Sequence, residues 1–323
     1  MGSGRGAPGR GDPRRPAGRI IVACDSGGHL TEAWALVAQR YDGHDVQWRT
    51  SDTEMARTML AGHRVWYSHH RVRSRDGIGM ILEFGVAVGK LVHHRGVTVV
   101  STGSAYALPW MLAAVITRTD AVFVESAARL SGLSASGRAI AKLPGITRAT
   151  QAPLEVDGWE QWESVLDVAL ATSSSRPPRG EAVPRVFVTV GTFAYPFDRL
   201  LRRVREVVPS EWTLVVQHGA SDPVPGADNH ATLGYDAIRR ELGRASVVVA
   251  HLGVGTLMTA LAVGTPIVAV PRRRAHGEVV DDHQVELLER LRSTRGVTVV
   301  AEVDDLDRCV LEAAMSGMGE RAG

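Results

Sequence analysis

Several short stretches of this 323-residue chain pair glycine with a side chain that can carry a proton or a hydroxyl. The first is "CDSGGHLTE", residues 24–32, set between the apolar run "RIIVAC" and the helical run "TEAWALVAQR". Gly27 and Gly28 permit a tight turn and close approach of a ligand to backbone N–H groups. The helix start behind them offers unpaired amides and a positive dipole end, which suits phosphate, and His29 stands at that rim. Taken alone, the stretch is equally a tight turn with a capping histidine. Ser101 and Gly103, in "STGSAYALPW", make a second glycine-bearing joint, which alone reads as an ordinary capped helix start. Glu125, in "VFVESAARLSGLS", closes a strand, and a carboxylate there is either a general base or a helix cap.

The second half repeats the pattern. In "VFVTVGTFAYPFDRLL", 186–201, Gly191 and Thr192 lie between a strand and a helix. Residues 247–291 hold the richest joint. A strand ends at His251, Gly253 and Gly255 open a loop, and Thr256 begins a helix, which together suit a diphosphate. A second strand ends at Pro271, and after a polar loop Asp282, His283 and Gln284 begin the next helix. Gln284 both donates and accepts, so it can read sugar hydroxyls.

These joints require strands and helices in alternation, and the sequence supplies them. Strands are predicted near 19–24, 45–49, 64–68, 97–101, 120–124 and 146–150. Helices are predicted near 30–40, 53–61, 78–93, 105–116 and 158–170. Beyond a Ser-, Pro- and Arg-rich linker at 171–184, strands are predicted near 185–190, 213–217, 246–250, 266–270 and 297–300. Helices there fall near 198–208, 235–244, 256–263, 282–292 and 304–316. Such alternation implies parallel sheets covered on both faces, with sites beyond the carboxyl ends of strands. The predicted architecture is α/β, with a disordered tail at 1–18, one domain at 19–170, the linker, and a second domain at 185–323. Hydrophobic residues at 44% allow a packed core, and a net charge of +2 gives no bulk attraction to nucleic acid. Two cysteines without metal-ligand spacing point to a reducing compartment. The tail lacks the apolar core of a secretory signal. Gly253, Gly255, Gly264 and Pro266 break the most apolar region, 246–271, into strand, loop, helix and strand, so no span is predicted. The helix at 78–92 is strongly apolar, follows Arg71, Arg73 and Arg75, and precedes His93, His94 and Arg95. It is either an ordinary crossover helix or a surface that meets anionic lipid.

At these residues the chain resembles a known family. The second half is similar to the UDP-sugar-binding domain of glycosyltransferase family 28, and within it to bacterial exopolysaccharide and capsule transferases, through "FVTVGT", "PFDRLL" and "VPRRRAHGEVVDDHQ". The first half, through "SGGHLTE", "VVSTGSAYALPWMLAA" and "VFVESAARLSGLSASGR", resembles the separate membrane-recruiting, acceptor-binding subunit of the same systems, as if two subunits were fused. The resemblance implies a GT-B fold, two doubly wound Rossmann-like domains facing across a cleft. It implies that Gly191, Thr192, His251, Gly253, Gly255 and Thr256 line the donor, that Glu278, Asp282 and Gln284 face the nucleotide-sugar, and that Gly27, Gly28, His29, Ser101 and Gly103 close the site from the acceptor side. Glu125 occupies the place of a family acidic residue, and with His29 it is the candidate catalytic group. The implied reaction is inverting transfer of a sugar from a UDP-sugar to a hydroxyl, on a polyprenyl-diphosphate-linked glycan in cell-surface polysaccharide synthesis. The protein would be cytoplasmic and peripheral on the inner face of the plasma membrane. No metal and no cofactor beyond the UDP-sugar co-substrate are expected. Relatives often carry His-Glu where Phe193 and Ala194 stand, and an acidic residue where Thr259 falls. Transfer to a small aglycone, nucleotide-sugar epimerisation and a catalytically silent sugar-nucleotide-binding subunit are the competing functions.

Overall fold

The computed structural model describes residues 18–69, 77–173 and 183–317. The tail expected before residue 18, the arginines at 71, 73 and 75, and most of the expected linker lie outside these residues. Packing divides the chain into two units. The first comprises residues up to Thr53 and Leu60–Asp167, the second Glu54–Met59 and everything from Val168.

The first unit runs β1 (Arg19–Ala23), α1 (Gly28–Arg40), β2 (Asp45–Ser51), then, after α2 (Glu54–Met59), β3 (Arg64–Ser68), α3 (Gly77–His93), β4 (Val97–Ser101), α4 (Ala107–Thr117), β5 (Asp120–Val124), α5 (Ala135–Ile140), β6 (Ile146–Thr150), β7 (Glu160–Gln161) and α6 (Val165–Thr172). Its parallel sheet has the order β3-β2-β1-β4-β5-β6-β7. The strand order reverses between β1 and β4, which opens a crevice at their carboxyl ends. "RIIVA" and "VTVVS" are apolar without alternation because helices cover both faces of the sheet.

The second unit takes α2 and continues with β8 (Arg185–Thr189), α7 (Asp198–Val207), β9 (Thr213–Gln217), β10 (Asp228–His230), α8 (Tyr235–Arg244), β11 (Val247–His251), α9 (Val254–Val263), β12 (Ile267–Val270), α10 (His283–Leu291), β13 (Val297–Val299) and α11 (Arg308–Ser316). Its parallel order is β10-β9-β8-β11-β12-β13, with the reversal between β8 and β11. Val186, Val188, Val216, Val247, Val249, Val268 and Val270 form the core with Leu200, Leu201 and Val204 of α7. The apolar residues of α7 recur at helical spacing on one face, and its arginines take the other.

Residues 158–170, predicted as one helix, divide differently. Gly158 turns the chain at φ 74°, the Trp162 N–H bonds the Thr150 carbonyl at 2.8 Å, and Glu160–Gln161 add an edge strand before α6 begins at Val165. The strand β10 and the helix α5 fall in stretches without a clear period and were not anticipated.

Helix α3 has one buried acid, Glu83. Its carboxylate accepts from Arg49 Nε at 2.8 Å and Nη2 at 2.5 Å, and from Trp110 Nε1 at 2.8 Å. The opposite face is apolar and open, with Ile78 74% and Ile81 71% exposed alongside Leu82 and Val92. No helix among the described residues is long and apolar enough to cross a membrane.

Candidate functional site

Both sheets place a histidine among glycines at their reversal point. In the first unit, Gly27 takes φ 91° just before α1, which lets the chain turn from β1 straight into the helix. Gly28 is the first, exposed residue of α1, and no side chain caps that helix end. His29 follows in the first turn. Its Nδ1 lies 3.0 Å from the Thr102 carbonyl, and Thr102 Oγ1 donates to the His29 carbonyl at 3.0 Å. A carbonyl only accepts, so Nδ1 carries the proton and Nε2 is left as the acceptor. Gly103, at φ 111°, packs on the ring; a Cβ there would lie 3.1 Å from Cε1. Ser101 Oγ donates to the Ala23 carbonyl at 2.6 Å and ties the end of β4 to that of β1.

Glu125 is committed elsewhere. It is 1% exposed, and its Oε2 accepts from Ser134 N at 2.9 Å and Ser134 Oγ at 3.1 Å. Ser134 caps α5 in turn through Gly137 N, and a Cβ on Gly137 would overlap the Glu125 carboxylate. The carboxylate thus fixes the loop after β5 and would have to release these donors before accepting a substrate proton. Glu32, which the sequence reading did not single out, grips the same loop. Its Oε1 accepts from Ser126 Oγ at 2.7 Å and its Oε2 from Ala127 N at 3.1 Å. Burial lifts its carboxyl above the usual range, against the pull of nearby His29. The signal for Glu32 was its spacing, three residues after His29 and so on the same side of α1.

In the second unit the imidazole comes from the other strand of the reversal point: His251 ends β11. Its Nδ1 is 3.4 Å from the Thr189 carbonyl. Gly191, at φ 74°, flanks the ring, so that a Cβ there would lie 2.6 Å from Cε1, and a Cβ on Gly253 would overlap Nε2. At both positions the missing side chain leaves space that the His251 imidazole occupies. Burial, and secondarily Arg272, pushes the His251 pKa down to about 3, so the ring is neutral. Gly253 precedes α9, which starts at Val254, two residues earlier than predicted, and has no side-chain cap; buried Gly255 and half-buried Thr256 form its first turn. Thr192 is exposed beside Gly191. Thr259 turns its hydroxyl back to the Gly255 carbonyl at 2.7 Å.

The residues expected to face the sugar shape a loop. Arg272, Arg273 and Arg274 donate their successive backbone N–H groups to Gln284 Oε1 at 2.9 Å, Glu278 Oε2 at 2.9 Å and Asp282 Oδ1 at 2.8 Å. Glu278 is also paired with Arg199 at 3.2 Å. Their oxygens hold the segment after β12, which spacing alone did not reveal. Among the described residues no group of three or more His, Cys, Asp or Glu is placed to hold a metal ion.

The decisive comparison concerns the half that carries His251 and this loop. Residues 185–318 match the glycosyltransferase family 28 C-terminal domain. That match takes in most of the second unit and less than half of the chain. The UDP-N-acetylglucosamine transferase subunit ALG13 of Mus musculus is 30% identical over 120 residues, 33% of this chain and 10% of that protein. The subunit of the same name from Yarrowia lipolytica is 32% identical over 72 residues, 22% of this chain and 34% of that protein. The chain therefore spans only a minor part of either relative. The crystal structure of Acinetobacter baumannii MurG shares the fold with a TM-score of 0.51 at 15% identity, covering 93% of this chain and 94% of that one. The fold is the two-domain α/β architecture shared with GT-B glycosyltransferase structures, and the family 28 match falls in its second half.

Proposed function

We propose that the chain is an inverting glycosyltransferase that moves a sugar from a UDP-sugar to a hydroxyl acceptor, with the family 28 domain as the donor half. The observation that carries this reading is the match over 185–318 on a unit whose switch point presents an uncapped helix, α9, beside the neutral His251 ring. Amides in the first turn of α9 would receive the diphosphate and stabilise charge as UDP departs. The relatives named for UDP-N-acetylglucosamine transfer support a uridine donor. His29 is the proposed base, because its Nε2 is left as an acceptor and its ring is held by Thr102. Glu125 becomes a support of the acceptor half. In-line attack by the acceptor hydroxyl, with its proton passing to His29 Nε2, inverts the anomeric carbon and releases UDP. The reaction as written uses no divalent ion.

The proposed acceptor is a lipid-linked glycan in cell-surface polysaccharide synthesis, reached from the cytoplasmic membrane surface. The open apolar face of α3, followed by His93, His94 and Arg95, supports that reading. A thermal-shift panel of nucleotide sugars tests the donor, since a selective ligand raises stability by mass action. Transfer from the stabilising donor to polyprenyl-diphosphate-linked acceptors, with EDTA present, tests the rest. Stabilisation by no uridine nucleotide would overturn the donor assignment, and consumption of the donor without acceptor would indicate epimerisation or hydrolysis instead.

A further inference from the structure

Arg272 follows β12 by two residues and is 1% exposed, although arginine is among the residue types least often buried. Its guanidinium spans two loops. Nη1 donates to the carbonyls of Tyr195 at 2.9 Å, Pro196 at 3.2 Å and Glu278 at 3.0 Å, and Nη2 donates to the Val190 carbonyl at 2.7 Å. Its Nε is buried without a partner. The guanidinium face stacks over the Phe197 ring at 4.9 Å. These bonds tie the loop after β8, which carries Gly191 and Thr192, to the loop after β12, which carries Glu278 and Asp282.

All four acceptors are neutral carbonyls, so the cation is held without a carboxylate in contact. The carboxylates that act on it from a distance are those of Glu278 and Asp198, and Glu278 is itself paired with Arg199. Val190 immediately precedes Gly191, against which the His251 ring packs. A fixed positive charge therefore lies beside the switch point between β8 and β11, close enough to act on the His251 ring that precedes α9. A buried charge of this kind is retained at a cost in desolvation unless something uses it.

We propose that Arg272 is a positioning residue and the fixed cation of the donor half: it holds the loops after β8 and β12 in register and adds positive potential for a nucleoside diphosphate without touching it. This rests on the reading that the second unit binds a nucleoside-diphosphate sugar. A charge acting at short range through partly buried surroundings discriminates by ligand charge, whereas a loop that has merely collapsed loses all ligands alike.

The test is calorimetric titration of the full chain with UDP, UMP and uridine, for the wild type, Arg272→Gln and Arg272→Lys. Arg272→Gln should weaken UDP by roughly tenfold or more, UMP by less, and uridine by under about twofold. Arg272→Lys keeps the charge and loses the fork, so its ratio of UDP to uridine affinity should stay within about threefold of the wild-type ratio. Equal losses for all three ligands in a folded Arg272→Gln, or no loss, overturn the proposal. Should the glutamine variant not fold, Arg272→Lys decides, and a collapse of its UDP-to-uridine ratio overturns it. A wild-type chain that binds none of the three ligands refutes the donor reading itself, an outcome distinct from a graded failure of Arg272.

Discussion

His29 and His251 both stand at the reversal points of their sheets, but they come from opposite sides of them, His29 from the helix after β1 and His251 from the end of β11, and their environments give them different chemistry. His29 is half-buried, with Nδ1 bound to a carbonyl and Nε2 left to accept. His29→Asn should lower turnover by roughly 10²- to 10⁴-fold, the range typical of a lost general base, while calorimetry shows UDP affinity unchanged. Full turnover by this variant would move the base elsewhere. His251 behaves otherwise. An unfolded histidine takes up its proton near pH 6.5, whereas folded His251 resists protonation until about pH 3. Unfolding thus binds a proton throughout that window, and the stability this group contributes is lost as the pH falls. The urea midpoint of the second unit should decline from about pH 6.5 downward, and His251→Gln should flatten that decline. Glu32 has the opposite sign: burial raises its carboxyl, so its contribution falls as the pH rises.

At the scale of elements, the loops at the strand ends are fixed by side chains filling backbone needs. Gly191 combines a left-handed φ of 74° with a ring in the place a Cβ would occupy. Gly191→Ala should therefore destabilise the second unit by about 1–3 kcal/mol from backbone strain alone, and by more if the ring is displaced. Denaturant unfolding measures the first effect, and a matched loss of UDP affinity would report displacement of the His251 ring. Helix α3 is anchored in the same manner by a buried ion pair. Glu83→Gln leaves the Arg49 guanidinium buried without its counter-charge, which should destabilise the first unit by about 3–5 kcal/mol. A midpoint within experimental error of the wild type would show that Arg49 finds another partner or water.

For the molecule as a whole, the open side of α3 gathers four exposed large apolar side chains, Ile78, Ile81, Leu82 and Val92. Glu83, the one acid in the helix, points inward, so the exposed side is apolar up to the last turn, where half-buried Lys90 lies over the Trp66 ring and His93 is exposed. A lipid-linked acceptor makes this surface the proposed contact with anionic headgroups. Flotation with anionic vesicles should recover the protein at low salt and release it at high salt, and Ile81→Asp should reduce recovery by several fold. Failure to float with either anionic or neutral vesicles would move the acceptor towards a soluble aglycone.

The architecture was legible in the chain because parallel strands buried on both faces need unbroken apolar runs, and helices between them need a 3.6-residue period. Stretches such as "RIIVA", "VTVVS" and "VVVAH" satisfy the first, and α1, α7 and α8 satisfy the second. The glycine-bearing joints were legible for the same local reason, since a chain that turns sharply on leaving a strand uses residues such as Gly27 and Gly191 that tolerate positive φ. What those joints contain was decided by tertiary contacts. Local spacing does not show that the room beside Gly191 is taken by the imidazole of His251, far along the chain but brought next to it by the pairing of β8 with β11, nor that Glu125 is bound to Ser134. It does not show which of three consecutive arginines turns inward. Arg272 is buried because four carbonyls from separate loops converge on it, and that convergence exists only once β8 and β12 have been brought to either side of β11.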